Sequence, residues 1–379
     1  MRSALASRSF RRLFAGTLAS NIGTWMQNVT LIALAYSLTG DAWFTGLITF
    51  AQLGPMLFLS PFGGALADRI DRRVLMVSLA AVQMTLSLVL AAVALDDTPN
   101  RVALVLIVAG IGCAGAINGP TANALLPTLV PRADMQPAIA LNSVSMNTSR
   151  VVGPLLGGVV GTIGGAPLVF AVNGMTYLFV IWALTSVDVD FSPKGASNVG
   201  PIEQLRVGLR AARSDRIITR VLVTISLLSL CSLIFIYQMP LLAEQHLDLT
   251  GWRFNLLFAS FALGAALGVF AVALALFGTT SFVPLAFAMA FVLGGAYFVI
   301  VTALSTTLQM RVPDEVRGRV MGLWMMAWAG LVPLGGLIAG PIIDAVGISA
   351  VLVFGAIVAA TLGALIDLRD PELVELGAE

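Results

Sequence analysis

Apolar runs long enough to cross a lipid bilayer recur along almost the whole chain. No other feature constrains the fold as strongly. They fall at roughly 13–38, 43–66, 74–95, 102–127, 138–164 and 166–187, then at about 218–245, 254–277, 280–309, 320–343 and 348–367. A helix needs about 20 apolar residues to span about 30 Å of hydrocarbon. In that medium each backbone donor and acceptor must be satisfied within its own segment, so the runs are expected to be helices. Composition agrees: 11% of residues are charged, against about 25% in soluble domains. The fold class is an all-α polytopic membrane protein.

Several function classes fall away. The net charge of +1 gives no bulk attraction to nucleic acid. Cys113 and Cys231 both lie inside apolar runs and read as small buried hydrophobes, not as a disulfide or metal site. His246 is the only histidine and has no metal-ligand company, so no metal or other cofactor is expected. No phosphate-binding glycine loop is present, so ATP drive is unsupported. The start, "MRSALASRSFRRLFAG", is basic and then apolar. Its apolar run extends to Leu38 and contains Asn21, Gln27 and Asn28, which fits a first span with a cytoplasmic anchor better than a cleaved leader.

The longest polar stretch, 188–217, divides the chain into bundles at 1–187 and 218–379. Residues Ile202 to Ala212 within it have amphipathic helical spacing, as expected of a helix lying along a membrane surface. Arginines at positions 2–12, 69–73, 132, in the linker and at 311–319 mark the cytoplasmic side, which puts the N-terminus there. From the N-terminus through the linker, the alternation fits six spans. The second half breaks it, because Phe254 to Met310 reads as two spans where an odd number is needed. A loose internal repeat lays Pro131 over Pro313, and it too leaves the second half about one helix short, at five spans. Parallel-repeat halves are a transporter architecture.

Three stretches carry a family resemblance. "GALADRIDRR" (64–73), "RVVGPLLGG" (150–158) and "TTLQMRVPDEVRGRVMGL" (306–323) make the chain similar to the major facilitator superfamily. Within it, the chain most resembles the macrolide-efflux and enterobactin-exporter branch of drug exporters. The resemblance covers almost the whole length. It implies a monomeric exporter of small amphipathic molecules in the bacterial inner membrane, working by alternating access and proton antiport. The alternatives are a metabolite uptake porter and a non-transporting paralogue or sensor.

The resemblance also implies roles for residues. Gly64, Asp68, Arg69, Arg72 and Arg73 would form a gating loop. In it, Asp68 caps the start of the eleventh helix near Arg317 to Gly322, and the arginines pair with lipid phosphate or acids such as Glu315. The other reading is a plain positive-inside loop. Gly153, Pro154, Gly157 and Gly158 match an antiporter signature, whose kink would pack against the other half. The other reading is generic small-residue packing. Two departures stand out: Asp71 replaces the usual glycine, and the fourth helix lacks the buried arginine common in proton-coupled members.

Arg150 lies roughly 12 residues into its run, on the order of 18 Å deep. A charge at that depth is costly and marks a functional site by default. The first six spans hold no acid to pair with it, so it binds helix carbonyls, water or an anionic substrate group. Asn21, Gln27, Asn28, Gln52, Asn118, Asn123, Asn147 and Gln238 are expected to serve as helix-to-helix glue or to line a central substrate cavity, with Trp324 in its apolar wall. Proton carriers are scarce: Glu244, Asp248 and Asp344 all lie near outer helix ends.

Overall fold

The computed structural model describes residues 4–67, 70–131, 134–187, 201–233, 270–312 and 314–365, with positions 235, 238, 242, 243 and 247. These residues are helical, with no strand among them. Helix α1 spans Arg8–Thr39, α2 Ala42–Leu53, α3 Pro55–Ala67, α4 Arg72–Val93 and α5 Arg101–Leu129. Helix α6, Met135–Ser186, holds two crossings, because Gly164 is non-helical and Gly165 adopts φ 67°. That left-handed conformation suits glycine, which has no Cβ to clash. The two arms reverse there: α1 meets Gly153 and Gly157 of the first arm, and Asn173, Thr176 and Phe179 of the second.

Local sequence explains the boundaries. Ser7 accepts from the Phe10 amide at the start of α1, and Asn100 accepts from Val102 and Ala103 at the start of α5. Asp71 accepts from the Arg73 and Val74 amides, at 2.8 and 3.1 Å. The departure from the signature glycine is therefore the N-cap of the third span. Gly54 and Pro55 interrupt the second span and divide α2 from α3. Proline cannot donate to the preceding turn, which is why it opens α3.

The amphipathic helix α7 runs Pro201–Ser214 and α8 runs Arg216–Leu227. Ala212 of α7 is buried, and Glu203 pairs with Arg210 at 3.0 Å on the exposed side. A π-helical turn at Leu228–Ser232 follows α8. Then come α9 (Phe270–Thr279), α10 (Val283–Arg311) and α11 (Asp314–Met325). A second π-turn at Met326–Gly330 leads into α12 (Leu331–Val346), and α13 covers Ile348–Leu365. Among the described residues, six helical stretches are long and apolar enough to cross a membrane; one is the double-length Val144–Ser186.

Helix α9 packs closely on α13. A Cβ on its Gly278 would sit 2.7 Å from Leu352 of α13, just as one on Gly174 of α6 would sit 2.9 Å from Leu88 of α4. The two contacts pair α9 with α13 in the second half and α4 with the second arm of α6 in the first. Residues 248–269 lie outside the described residues, as do Asp68, Arg69 and Glu244.

One end of the bundle carries Arg8, Arg11, Arg12, Arg72 and Arg73; the opposite end carries Asp41, Asp96, Asp97 and Asp344. At the basic end, Arg12 donates to the Ser186 carbonyl at 2.9 Å, and Arg73 donates to that of Val187. One cation of the first helix and one of the signature loop therefore hold the carbonyl end of the sixth span, where the helix dipole favours positive charge.

Candidate functional site

The buried polar residues divide by partner. Gln27 accepts from Asn173 at 2.9 Å, and both are fully buried within the first half. Gln52 donates to Asn28, tying α2 to α1. Asn21 and Asn28 are half-buried and flank Trp25 by helical spacing, so they share its face of α1. Asn118 is half-buried on α5, the Asn123 side chain lies outside the described residues, and Asn147 sits half-buried one turn before Arg150. Trp324 is buried at 3% exposure in a core with Val221, Leu304 and Leu308 instead of lining a wall. Replacing Asn173 with leucine should strand the Gln27 acceptor, at about 1–3 kcal/mol. Melting in detergent should fall by several degrees, and the Gln27→Leu/Asn173→Leu pair should recover part of that loss.

The two halves meet at mid-depth around Arg150. Its guanidinium carbon lies 5.2 Å from the Trp25 ring centroid of α1 and 5.1 Å from the Phe298 ring centroid of α10. The cation is thus held between one ring from each half, an attraction of about 0.5–2 kcal/mol per ring. Arg150 is about 15 residues past Met135, so ~22 Å from the helix start. Its Nε is buried without a hydrogen-bond partner. Tyr297 lies within electrostatic reach of Arg150, stacks edge-on against Phe298 at 5.1 Å, and accepts from Trp328 Nε1 at 3.1 Å.

The signature glycines build this cage from behind. A Cβ on Gly153 would meet Trp25 Cβ at 2.6 Å and the Ile22 carbonyl at 2.8 Å. Gly157 faces Met26 of the same helix. The face bearing Gly153 and Gly157 therefore packs on α1 of its own half and lays Trp25 against Arg150. The resemblance implied packing across the halves for these glycines; the described contact of this face is internal to one half.

Contact across the halves runs through α2 and α12 at the acidic end. A Cβ on Gly46 would lie 2.6 Å from the Gly336 carbonyl, and one on Gly340 would lie 2.6 Å from Trp43 Cα. Asp344 accepts from the Ala42 amide at 3.2 Å, and Gln238 donates to the Ala42 carbonyl at 3.4 Å. An aspartate at the end of α12 thus caps the start of α2 in the other half. Sequence reasoning singled out Arg150, Gln238 and Asp344. It missed Gly46, Tyr297 and Phe298, whose only signal is a glycine or an aromatic pair inside an apolar run.

Two pseudo-repeated helical bundles meeting around a mid-membrane charge define a secondary-transporter architecture. The chain belongs to the transmembrane secretion effector family, whose model (MFS_3) matches residues 2–275. It is a transporter of the major facilitator superfamily and not an enzyme. It is 22% identical over 362 residues to the staphyloferrin A transporter of Staphylococcus aureus (strain NCTC 8325 / PS 47), covering 88% of this chain and 89% of the relative. It is 22% identical over 338 residues to the enterobactin exporter EntS of Escherichia coli O1:K1 / APEC, covering 83% and 80%. Its fold matches a bacterial homolog to the human lysosomal transporter Spinster with a TM-score of 0.71 at 15% identity, over 94% of this chain and 95% of that one.

Proposed function

We propose that this protein exports small amphipathic molecules, drug-like or siderophore-like, from the bacterial cytoplasm by alternating access in the inner membrane. The basic end faces the cytoplasm, with the N-terminus there. The observation that carries the reading is the paired arrangement of α2 and α12, sealed at the acidic end by facing glycines, around the central Arg150 cage. The similarity to siderophore transporters supports outward movement of an organic solute. Proton antiport is the coupling that the resemblance implies. In this sequence a carboxylate for it would have to come from a helix end, such as Asp344.

Direction decides between export and uptake. Everted membrane vesicles, energised by respiration, should accumulate a panel of amphipathic probes (ethidium, Hoechst 33342 and 2-naphthalenesulfonate) above vesicles lacking the protein. Depletion of the probes would make it an uptake porter. Movement of none would favour the non-transporting paralogue.

A further inference from the structure

We infer that the transported molecule carries an anionic group and docks it on Arg150, between the rings of Trp25 and Phe298. The inference rests on the transporter reading and names the substrate class for it. Arg150 is a fixed cation at mid-depth. From Met135 through Val187 the sequence has no Asp or Glu, and among the described residues no carboxylate pairs with it. Its described neighbours are rings, and its buried Nε keeps an unused donor. Guanidinium is planar, permanently charged and matched to the geometry of carboxylate, sulfonate or phosphate. The rings on either side would receive the apolar body of the same molecule, so the site selects an amphipathic anion. Asn147, one turn away on α6, is half-buried beside it.

The site also joins recognition to movement. Trp25 and Arg150 belong to the first half and Phe298 to the second. An anion that engages the guanidinium competes with the rings for it, and so acts directly on a contact between the halves. The charge has an energetic consequence as well. An inside-negative potential drives an anion outward, by roughly fifty-fold at equilibrium for each 100 mV, the equivalent of about 2.3 kcal/mol per charge. Export of such a substrate needs no proton carrier on the protein, and the sequence places every acid at a span end or in a loop.

The test uses matched probes on one scaffold: 2-naphthalenesulfonate, a permanent anion, and 2-naphthyltrimethylammonium, a permanent cation. Calorimetric titration of the purified full chain in detergent should show the sulfonate binding at least tenfold tighter. Arg150→Gln should erase that preference, and Arg150→Lys, which keeps the charge but loses the planar fork, should retain part of it. Each variant's melting curve controls for folding, and Phe298→Leu, which keeps the arginine, should weaken both probes without changing their order. Failure of the sulfonate to bind the native protein, or a preference that survives in folded Arg150→Gln, overturns the docking site. Energised movement of ethidium would still uphold the transporter reading in that case. In proteoliposomes, sulfonate efflux should run about tenfold faster with the interior negative than with it positive, and should ignore a pH gradient at clamped potential. Efflux that follows the pH gradient instead overturns the potential-driven step.

Discussion

Gly46→Leu is expected to lower efflux by more than tenfold while the protein still folds and inserts. The reason is backbone against backbone. The added Cβ would lie 2.6 Å from the Gly336 carbonyl and 3.2 Å from Leu337 Cα, atoms that cannot swing aside as a side-chain tip can. Overpacking of this kind costs typically about 1–3 kcal/mol. Here the cost falls on one conformation only, the one in which α2 and α12 touch. A penalty confined to one state shifts the population by about five-fold at 1 kcal/mol and about a hundred-fold or more at 3 kcal/mol. The protein should therefore rest open at the acidic end. A single cysteine placed beside Gly340 should label from that side faster in the leucine variant than in the parent. Native efflux, or unchanged labelling, would show that these glycines are ordinary packing.

The degree to which this was legible in sequence differs from residue to residue. Span positions could be read because lipid forces long apolar runs, and the described helices of the first half, with α10 and α13, follow them to within a few residues; large parts of the runs at 218–245 and 254–277 lie outside the described residues. The break at Gly54 and Pro55 was not anticipated, since an apolar run conceals a helix interruption that costs it no hydrophobicity. Arg150 was legible as a lone charge at depth. Its cage was not: Tyr297 and Phe298 lie in a stretch free of charge, where an aromatic residue at helical spacing reads equally well as packing. The glycine signature at 153–158 was legible as a close approach but not as to which helix approaches. Close packing needs a small residue and leaves the partner to topology. Asp71 shows the opposite failure. Compared with the family pattern it looks like a departure, but local chemistry makes it a helix cap.

The last expectation concerns the ends of the pair formed by the second span (α2 and α3) and the eleventh (α11 and α12), which run antiparallel. At the acidic end, Asp344 caps the start of α2. At the basic end, the resemblance assigns Asp68, just past α3, to cap the start of α11 in the same way; Asp68 itself lies outside the described residues. Each helix would then offer an aspartate from its C-terminal end to the positive N-terminus of the other. In a rocking pair the two caps favour opposite states, since one closes the acidic end and the other the basic end. Losing a cap costs about 1 kcal/mol, which is about five-fold in population. Asp344→Ala should therefore favour the form open at the acidic end, and Asp68→Asn the form open at the basic end. Both should slow efflux several-fold with expression intact. Combining them should bring cysteine labelling at the two ends back toward the native ratio. Unchanged efflux in Asp68→Asn would sink the basic-end latch. Labelling shifts of the same sign in both single variants would refute the opposition of the two caps, because only caps on opposite states can offset each other.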